Sequence, residues 1–114
     1  MPKLTIAIPN YNGGENLKNA IKSCRAIQIP ENDYEILIVD NKSADNSVDV
    51  VNEMKKKFTN IRLVENKKNL GRIQNWNVSI EKAYGEYLIF LFSNDLIDEK
   101  NNIHELLQIL DSDE

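Results

Sequence analysis

The sequence predicts an α/β fold, with a mainly parallel sheet that carries helices on both faces. Four short apolar runs alternate with stretches in which apolar residues recur every three or four positions. The runs begin roughly 26 to 30 residues apart, about the length of one strand–helix–strand unit with a right-handed crossover. With 114 residues, of which 41% are hydrophobic, the chain is expected to form one domain with a real core.

The four apolar runs are predicted to be strands, because they are short and rich in Ile, Leu, Val and aromatic residues. They cover residues 4–9, 34–39, 61–64 and 87–92. Continuous apolar runs of this kind are typical of parallel strands that are covered on both faces.

The stretches between the strands are predicted to be helices whose apolar stripes face the sheet. The stripes are Leu17, Ala20, Ile21 and Cys24 in the first helix, Val48, Val51, Met54 and Phe58 in the second, and Ile73, Trp76, Ile80 and Ala83 in the third. A fourth helix is marked by Ile103, Leu106, Leu107 and Leu110. Trp76, Tyr84 and Phe90 are therefore expected to pack in the core rather than to stack on a sugar.

Two helix boundaries have local signals in the sequence. Asp45 or Ser47 can cap the second helix by accepting hydrogen bonds from its free amide groups. Gly85 is expected to end the third helix as a residue in the left-handed conformation.

Charge and cysteine content exclude several classes of protein. Fourteen basic against 18 acidic side chains give a net charge of −4, which argues against nucleic acid and against a basic membrane surface. The single cysteine, Cys24, cannot form an intrachain disulfide, which favours a reducing cytoplasm. No segment approaches the ~18 apolar residues of a membrane span. The sole histidine, His104, has no histidine or cysteine partner nearby and is interpreted as a surface residue.

Polar side chains follow three of the four predicted strands. These segments are residues 9–14, 40–45 and 93–95. Ligands of doubly wound sheets bind outside the carboxyl ends of the strands, so these segments are candidates for a binding site. Tyr11 offers a ring on which a base can stack, and Asp40 offers an acceptor for an imide or a ribose hydroxyl. The set is suited to a nucleotide.

The usual phosphate-binding loops are absent from the sequence. Neither G-x-G-x-x-G nor the P-loop pattern can be written among its four glycines. A bound diphosphate would then need a divalent cation, for which Asp95 is a hard oxygen ligand and Asn94 a neutral one. An aspartate in a turn after a strand also commonly forms an Asx-turn, and this alternative stays open.

Four segments match one family in order and spacing. They read LTIAIPNYN at residues 4–12, EILIVDNKSAD at 35–45, NLGR at 69–72, and AYGEYLIFL at 83–91 followed by SND at 93–95. Together they resemble family 2 glycosyltransferases of the GT-A fold, whose nucleotide-binding half is Rossmann-like.

The resemblance implies a nucleotide-sugar donor, commonly a UDP-sugar, with Mn²⁺ or Mg²⁺ on its diphosphate, and a saccharide or lipid-linked acceptor. Pro9 and Tyr11 match positions that line the base, and Asp40 matches the acid that contacts uracil. Arg72 either reaches the donor's phosphates or caps the turn into the third helix.

The family's acidic metal motif falls on Asn94 and Asp95. Many relatives carry Asp-x-Asp here, whereas this sequence has Phe92 at the first acidic position and Asn94 at the second. Asp95 is thus the one carboxylate left as a metal ligand.

The resemblance places the family's general base in the later half of the fold, beyond this sequence. Residues 1–114 are therefore expected to be a truncated donor-binding domain that lacks the acceptor half, contains no catalytic residue and is inactive alone. The missing strands would leave a sheet edge unpaired, and self-association through that edge or the adjacent apolar surface is expected.

Two other classes of protein share features with this sequence. A degenerate transferase, acting as a nonenzymatic binding or assembly module, is favoured by Phe92 and Asn94. A flavodoxin-like signalling receiver also has an aspartate at a strand end, but it needs paired acids after the first strand, where this sequence has Pro9, Asn10 and Tyr11. These residues argue against a receiver.

Overall fold

The computed structural model describes residues 2–27 and 29–92, which form seven regular helices and strands and two short 3₁₀ turns. The strands are β1 Leu4–Asn10, β2 Tyr34–Asp40, β3 Ile61–Glu65 and β4 Tyr87–Phe90. The helices are α1 Gly14–Ser23, α2 Ser47–Met54 and α3 Arg72–Lys82, and the 3₁₀ turns are Cys24–Ala26 and Glu31–Asp33. The predicted fourth helix, along with Asn94, Asp95 and His104, lies outside the described residues.

The four strands form one sheet in the order β3-β2-β1-β4, and every neighbouring pair is parallel. Ile6 lies opposite Ile36, and Asn10 lies opposite Asp40 at the carboxyl ends of β1 and β2. Because all strands run the same way, the loops after β1, β2 and β3 emerge at one edge of the sheet. The α/β prediction is confirmed, and so are the positions of the four strands.

One face of the sheet carries the apolar core, under α1 and α2. Alternate residues of the two central strands point to this face, among them Ile6, Ile8, Ile36 and Ile38, all with no exposed surface. The predicted stripe of α1 is buried there. In α2, Val51 and Met54 are buried as expected, but Val50 replaces the half-buried Val48 on the core side.

The other face of the sheet is covered by α3, and here the predicted stripe is wrong for Ile73 and Ile80, whereas Trp76 and Ala83 are half-buried. Ile73 and Ile80 are 59% and 57% exposed, whereas Asn75 and Ser79 are the buried residues of the helix. Asn75 Nδ2 donates to the Val39 carbonyl oxygen at 3.1 Å, and the small Ser79 side chain lets the helix lie close to β1 and β2. Polar contacts therefore set the rotation of α3 and turn its isoleucines outward.

A buried carboxylate holds the carboxyl end of α3. Glu35 Oε1 accepts from Arg62 Nε at 2.7 Å, and Oε2 accepts from Thr5 Oγ1 at 2.6 Å and from the Tyr84 amide at 2.7 Å. The Arg62 guanidinium lies 3.8 Å from the centroid of the Tyr84 ring. Tyr84 itself is 55% exposed, so its prediction as a core residue is wrong, whereas Phe90 is half-buried.

Gly85 is required by close approach and not by a left-handed backbone. A Cβ at this position would lie 2.4 Å from the Thr5 nitrogen, and the described glycines with positive φ are Gly14 and Gly71. The predicted reason for Gly85 is therefore wrong. At the start of α2, Asp45 does accept from the Ser47 amide, at 2.9 Å, while the Ser47 hydroxyl oxygen accepts from the Gly14 amide at 3.1 Å.

Candidate functional site

A two-lobed cavity opens at the carboxyl ends of β1 and β2, beside the first turn of α3. We call its parts the Asn41 lobe, of about 430 Å³, and the Asn16 lobe, of about 660 Å³. The residues that line both lobes are Pro9, Tyr11, Arg72, Trp76 and Phe92. Asn10, Asn41, Asn69, Gly71 and Asn75 complete the first lobe, and Asn12, Gly13 and Asn16 complete the second. Volumes of this order are usual for small-molecule sites.

The loop after β1 brings Pro9 and Tyr11 to the cavity. The loop is fixed to the loop after β2, since the Asn12 amide donates to Ser43 Oγ at 2.8 Å and Asn12 Oδ1 accepts from the Ala44 amide at 2.8 Å. Asn12 has a φ of 54°, a conformation that asparagine tolerates better than most residues. Tyr11 is 53% exposed, so its ring is available to a ligand.

Asp40 lies beneath the cavity and lines neither lobe. It is 2% exposed. Its Oδ1 accepts from Ser43 Oγ at 2.6 Å and from Asn10 Nδ2 at 3.0 Å, and its Oδ2 accepts from the Ser43 amide at 2.9 Å. The carboxylate thus holds the two loops together, and the next residue, Asn41, lines the Asn41 lobe.

Arg72 is the first residue of α3 and lines both lobes. Its guanidinium carbon lies 5.6 Å from the centroid of the Trp76 ring, within the range of a cation–π contact. Among the described residues it is the one charged side chain on the cavity wall. An exposed arginine in this place can donate bidentate hydrogen bonds to phosphate.

Trp76 and Phe92 line the cavity as part of a cluster of three aromatic rings, whose third member, Phe90, lies outside both lobes. The Trp76 ring centroid lies 6.3 Å from that of Phe90 and 5.4 Å from that of Phe92, and the Phe90 and Phe92 rings are stacked at 6.0 Å. Trp76 and Phe90 are thus packed as expected, but Trp76 also borders the cavity. Phe92 places an apolar ring on the cavity wall.

The described part of the cavity wall offers a metal ion only neutral oxygen atoms. It contains asparagine amides and no aspartate or glutamate, and within residues 2–27 and 29–92 no group of three acidic, histidine or cysteine side chains is placed to hold a metal ion. The predicted ligand Asp95 and its neighbour Asn94 lie outside those ranges.

Sequence reasoning missed four asparagines beside the cavity: Asn41, Asn66, Asn69 and Asn75. They link the ends of β2 and β3 to the first turn of α3 through side-chain amides. The sequence signal that could have identified them is that four asparagines lie close after predicted strands or close to Gly71. Single asparagines in loops are too common to attract notice.

A parallel sheet with a polar cavity at the carboxyl ends of its strands is the arrangement of α/β domains that bind ligands at this edge. The sequence model of Glycosyl transferase family 2 matches residues 5–114. The chain belongs to this family.

Two curated relatives act on the same kind of polymer according to their names. The chain is 38% identical over 96 residues to the poly(ribitol-phosphate) beta-glucosyltransferase of Bacillus spizizenii, covering 83% of this chain and 15% of the relative. It is 34% identical over 101 residues to the poly(ribitol-phosphate) beta-N-acetylglucosaminyltransferase TarP of Staphylococcus aureus, covering 88% of this chain and 31% of the relative. The chain thus spans less than a third of either relative.

Solved structures agree on the fold. Residues 1–349 of Staphylococcus aureus TarS in complex with UDP-GlcNAc match with a TM-score of 0.86 at 23% identity, over 96% of this chain and 31% of that one. The mannosyltransferase PcManGT of Pyrobaculum calidifontis, in complex with GDP-Man and Mn²⁺, matches with a TM-score of 0.75 at 21% identity, over 82% and 28%. The GT-A fold is thereby confirmed. Within the described ranges, no helix has the length and apolar character needed to cross a bilayer.

Proposed function

We propose that the two-lobed cavity binds a nucleotide-sugar donor, with a UDP-sugar as the first candidate. The observation that carries this proposal is that Tyr11 and Arg72 line the same two lobes. Tyr11 supplies a ring on which a base can stack, and Arg72 supplies a cation for the diphosphate. The TarS and PcManGT complexes contain donors of this class, which supports the same assignment.

We propose that Asp40 supports the site of the base without contacting the base itself. Asp40 is 2% exposed and lines neither lobe, and its carboxylate accepts from Ser43 and Asn10 at 2.6 and 3.0 Å. Asn10 lines the Asn41 lobe, so Asp40 acts on a bound base through Asn10.

The reaction is transfer of the sugar to a hydroxyl of a saccharide or lipid-linked acceptor, with inversion. The acceptor oxygen forms the new bond to the anomeric carbon while the bond to the diphosphate oxygen breaks, and the electron pair of that bond goes to the diphosphate. Arg72 stabilises this developing charge. A general base takes the hydroxyl proton, and we assign no such residue within 1–114.

Residues 1–114 accordingly form the donor-binding part of a longer enzyme and are not expected to catalyse transfer alone. The short share of the relatives that the chain covers supports this proposal. We also place the protein in the cytoplasm, since the buried Cys24 thiol has no disulfide partner in this chain.

We also propose that Asp95 binds a divalent ion, Mn²⁺ or Mg²⁺, with Asn94 as a neutral neighbour. When bound, such an ion acts as a Lewis acid on the diphosphate. With a single carboxylate to bind it, the affinity of the free protein for the metal is expected to be low, and UDP should raise it.

Calorimetry with UDP, with and without Mn²⁺, tests the donor site. We expect UDP to bind, and Arg72→Gln to weaken binding about tenfold or more, because charge-assisted hydrogen bonds to phosphate are lost. Asp95→Ala should abolish the effect of Mn²⁺ without abolishing binding in its absence.

The matched control is Arg25→Gln, which removes an arginine that stacks on Phe58 and lines neither lobe. It should leave UDP affinity unchanged. Equal loss in both arginine variants, or no binding of any nucleoside diphosphate, would overturn the donor-site proposal.

One observation favours a second candidate, a degenerate transferase that acts as a binding or assembly module. Phe92 lines the cavity with an apolar ring next to Trp76, which suits a ligand without a diphosphate. Failure to bind any nucleoside diphosphate, with or without Mn²⁺, would favour this candidate.

A further inference from the structure

We propose that Asn41 is a positioning residue for the donor site: it fixes residues 69–72 against the sheet and thereby sets the place of Arg72 at the cavity. This inference rests on the proposed function for its ligand, and on the hydrogen bonds of Asn41 for its geometry.

Asn41 is buried, directly after β2, and uses all of its side-chain hydrogen-bonding capacity. Its Oδ1 accepts from the Leu70 amide at 2.9 Å and from Asn66 Nδ2 at 3.1 Å. Its Nδ2 donates to Asn69 Oδ1 at 2.9 Å and to the Gly71 carbonyl oxygen at 3.4 Å. An asparagine amide has two donors and two acceptor positions, so no capacity remains for a ligand. Its role must be exerted on the loop.

The loop held by Asn41 needs this support. Gly71 has φ 85° and ψ 160°, a region that is essentially confined to glycine and costs free energy unless its surroundings enforce it. The Gly71 amide donates to Asn69 Oδ1 at 2.8 Å, and the Gly71 carbonyl oxygen also accepts from the Asn75 amide at 3.0 Å. The turn is thus closed on both sides of Gly71.

A second branch of the network fixes the first turn of α3. Asn66 Nδ2 donates to Asn75 Oδ1 at 2.7 Å, and Asn75 Nδ2 donates to the Val39 carbonyl oxygen at 3.1 Å. Arg72 lies between the two points that are held, Gly71 and Asn75. Its backbone position at the cavity is therefore determined by side chains that do not include its own.

The test compares two variants in the network with one outside it. Asn41→Ala should weaken UDP binding about tenfold and shift the emission of Trp76, the single tryptophan of the chain and a neighbour of Arg72. Asn66→Ala should weaken binding about threefold; because Asn66 lines neither lobe, its effect must pass through the network.

The control is Asn60→Ala. Asn60 also donates to backbone carbonyl oxygens, those of Tyr34 at 3.1 Å and Glu31 at 3.4 Å, but it precedes β3 at the opposite edge of the sheet. It should lower resistance to urea without changing UDP affinity or the emission of Trp76.

A double-mutant cycle with Arg72→Gln decides whether Asn41 acts through Arg72. In the Arg72→Gln background, Asn41→Ala should cost less than threefold in UDP affinity, because the group it positions is already gone. Full additivity would overturn the inference, and so would UDP binding that is unchanged in Asn41→Ala and Asn66→Ala.

The positioning role of Asn41 can be tested even if the proposed donor binding is wrong. If the wild-type protein does not bind UDP, the ligand-free emission of Trp76 still tests the network: unchanged emission in Asn41→Ala and Asn66→Ala refutes the positioning role, and shifted emission with Asn60→Ala unchanged upholds it. If Asn41→Ala does not fold, Asn66→Ala carries the test.

Discussion

At the scale of single residues, the neighbours Asp40 and Asn41 take different roles because successive side chains of a strand alternate between faces. Asp40 shares the face of Ile36 and Ile38, toward α1 and α2, and there it holds Ser43 and Asn10. Asn41 faces the loop before α3. The sequence indicated polar residues at the end of β2. The side of the sheet on which each side chain lies follows only once the core side of Ile36 and Ile38 is known, because positions alternate from there.

Gly85 allows a test at this scale. Gly85→Ala should destabilise the protein by about 2 kcal/mol, because the new methyl group would overlap backbone atoms of Leu4 and Thr5 that cannot move freely. Urea unfolding measures the loss. A change below about 0.5 kcal/mol would mean that the segment at residue 85 moves away from β1 at little cost.

The comparison for this test is Gly71→Ala. Apart from its chain neighbours, no described residue has an atom within 4 Å of a Cβ there, but its φ of 85° is unfavourable for alanine, at a cost of about 1–3 kcal/mol. We expect Gly71→Ala to weaken UDP binding as well, whereas Gly85→Ala, distant from both lobes, should leave it unchanged.

At the scale of elements, the strands and the first two helices could be predicted from the sequence, but the orientation of α3 could not. Apolar runs identify buried strands directly. The pattern of α3 suggested that Ile73, Trp76 and Ile80 face the sheet. Trp76 does contact Phe90 of β4, but the two isoleucines are exposed and Asn75 and Ser79 are buried instead. Asn75 reaches the sheet by a hydrogen bond to Val39, and the Ser79 hydroxyl is satisfied inside the helix by the Asn75 carbonyl oxygen. Periodicity records hydrophobicity alone, so it cannot detect a helix that is attached by hydrogen bonds.

The attachment of α3 through Glu35 predicts a dependence of stability on pH. Burial acts to raise the pKa of Glu35, but hydrogen bonds from Arg62, Thr5 and the Tyr84 amide outweigh it and lower the pKa below its ordinary value of 4.5. The unfolded chain then takes up the proton at higher pH than the folded one. The stabilisation is complete above about pH 4.5 and is lost as the pH falls below it.

Glu35→Gln should therefore lower the free energy of unfolding by about 2 kcal/mol near neutral pH, and by progressively less in acid. Urea titrations at a series of pH values measure this. The control is Glu53→Gln, which removes an exposed pair with Lys56 at 3.4 Å and should cost about 0.5 kcal/mol or less. Parallel pH curves for wild type and Glu35→Gln would contradict the assignment.

At the scale of the whole molecule, the described sheet has two edge strands, β3 and β4. The Tyr87 and Leu91 amides donate to β1, so by alternation the amides of Leu88 and Phe90 point away from it. Unpaired strand edges can template association with another chain. The exposed Ile73 and Ile80 add apolar surface on α3, and both features support the expectation that the protein associates with itself.

Sedimentation at increasing concentration tests this expectation. We expect a rising average mass, reduced by Leu88→Pro, which removes an outward amide of β4 and leaves the bonds to β1 in place. Ile80→Lys is the comparison, since it changes the apolar surface of α3 and not the strand edge. A monomer at every concentration would refute self-association.

The unequal covering of the two faces divides the domain by local stability. Opening the α1–α2 face would expose the continuous apolar core, which amounts to global unfolding. Detaching α3 would break the contacts of Trp76 with Phe90 and Phe92 and the hydrogen bonds of its asparagine and of Glu35. We therefore expect the α3 side, which borders both lobes, to open at a lower free energy than the α1–α2 side. A ligand that bridges Tyr11 and Arg72 would slow hydrogen exchange most in α3. Binding in the cavity would thus make this part of its wall more rigid.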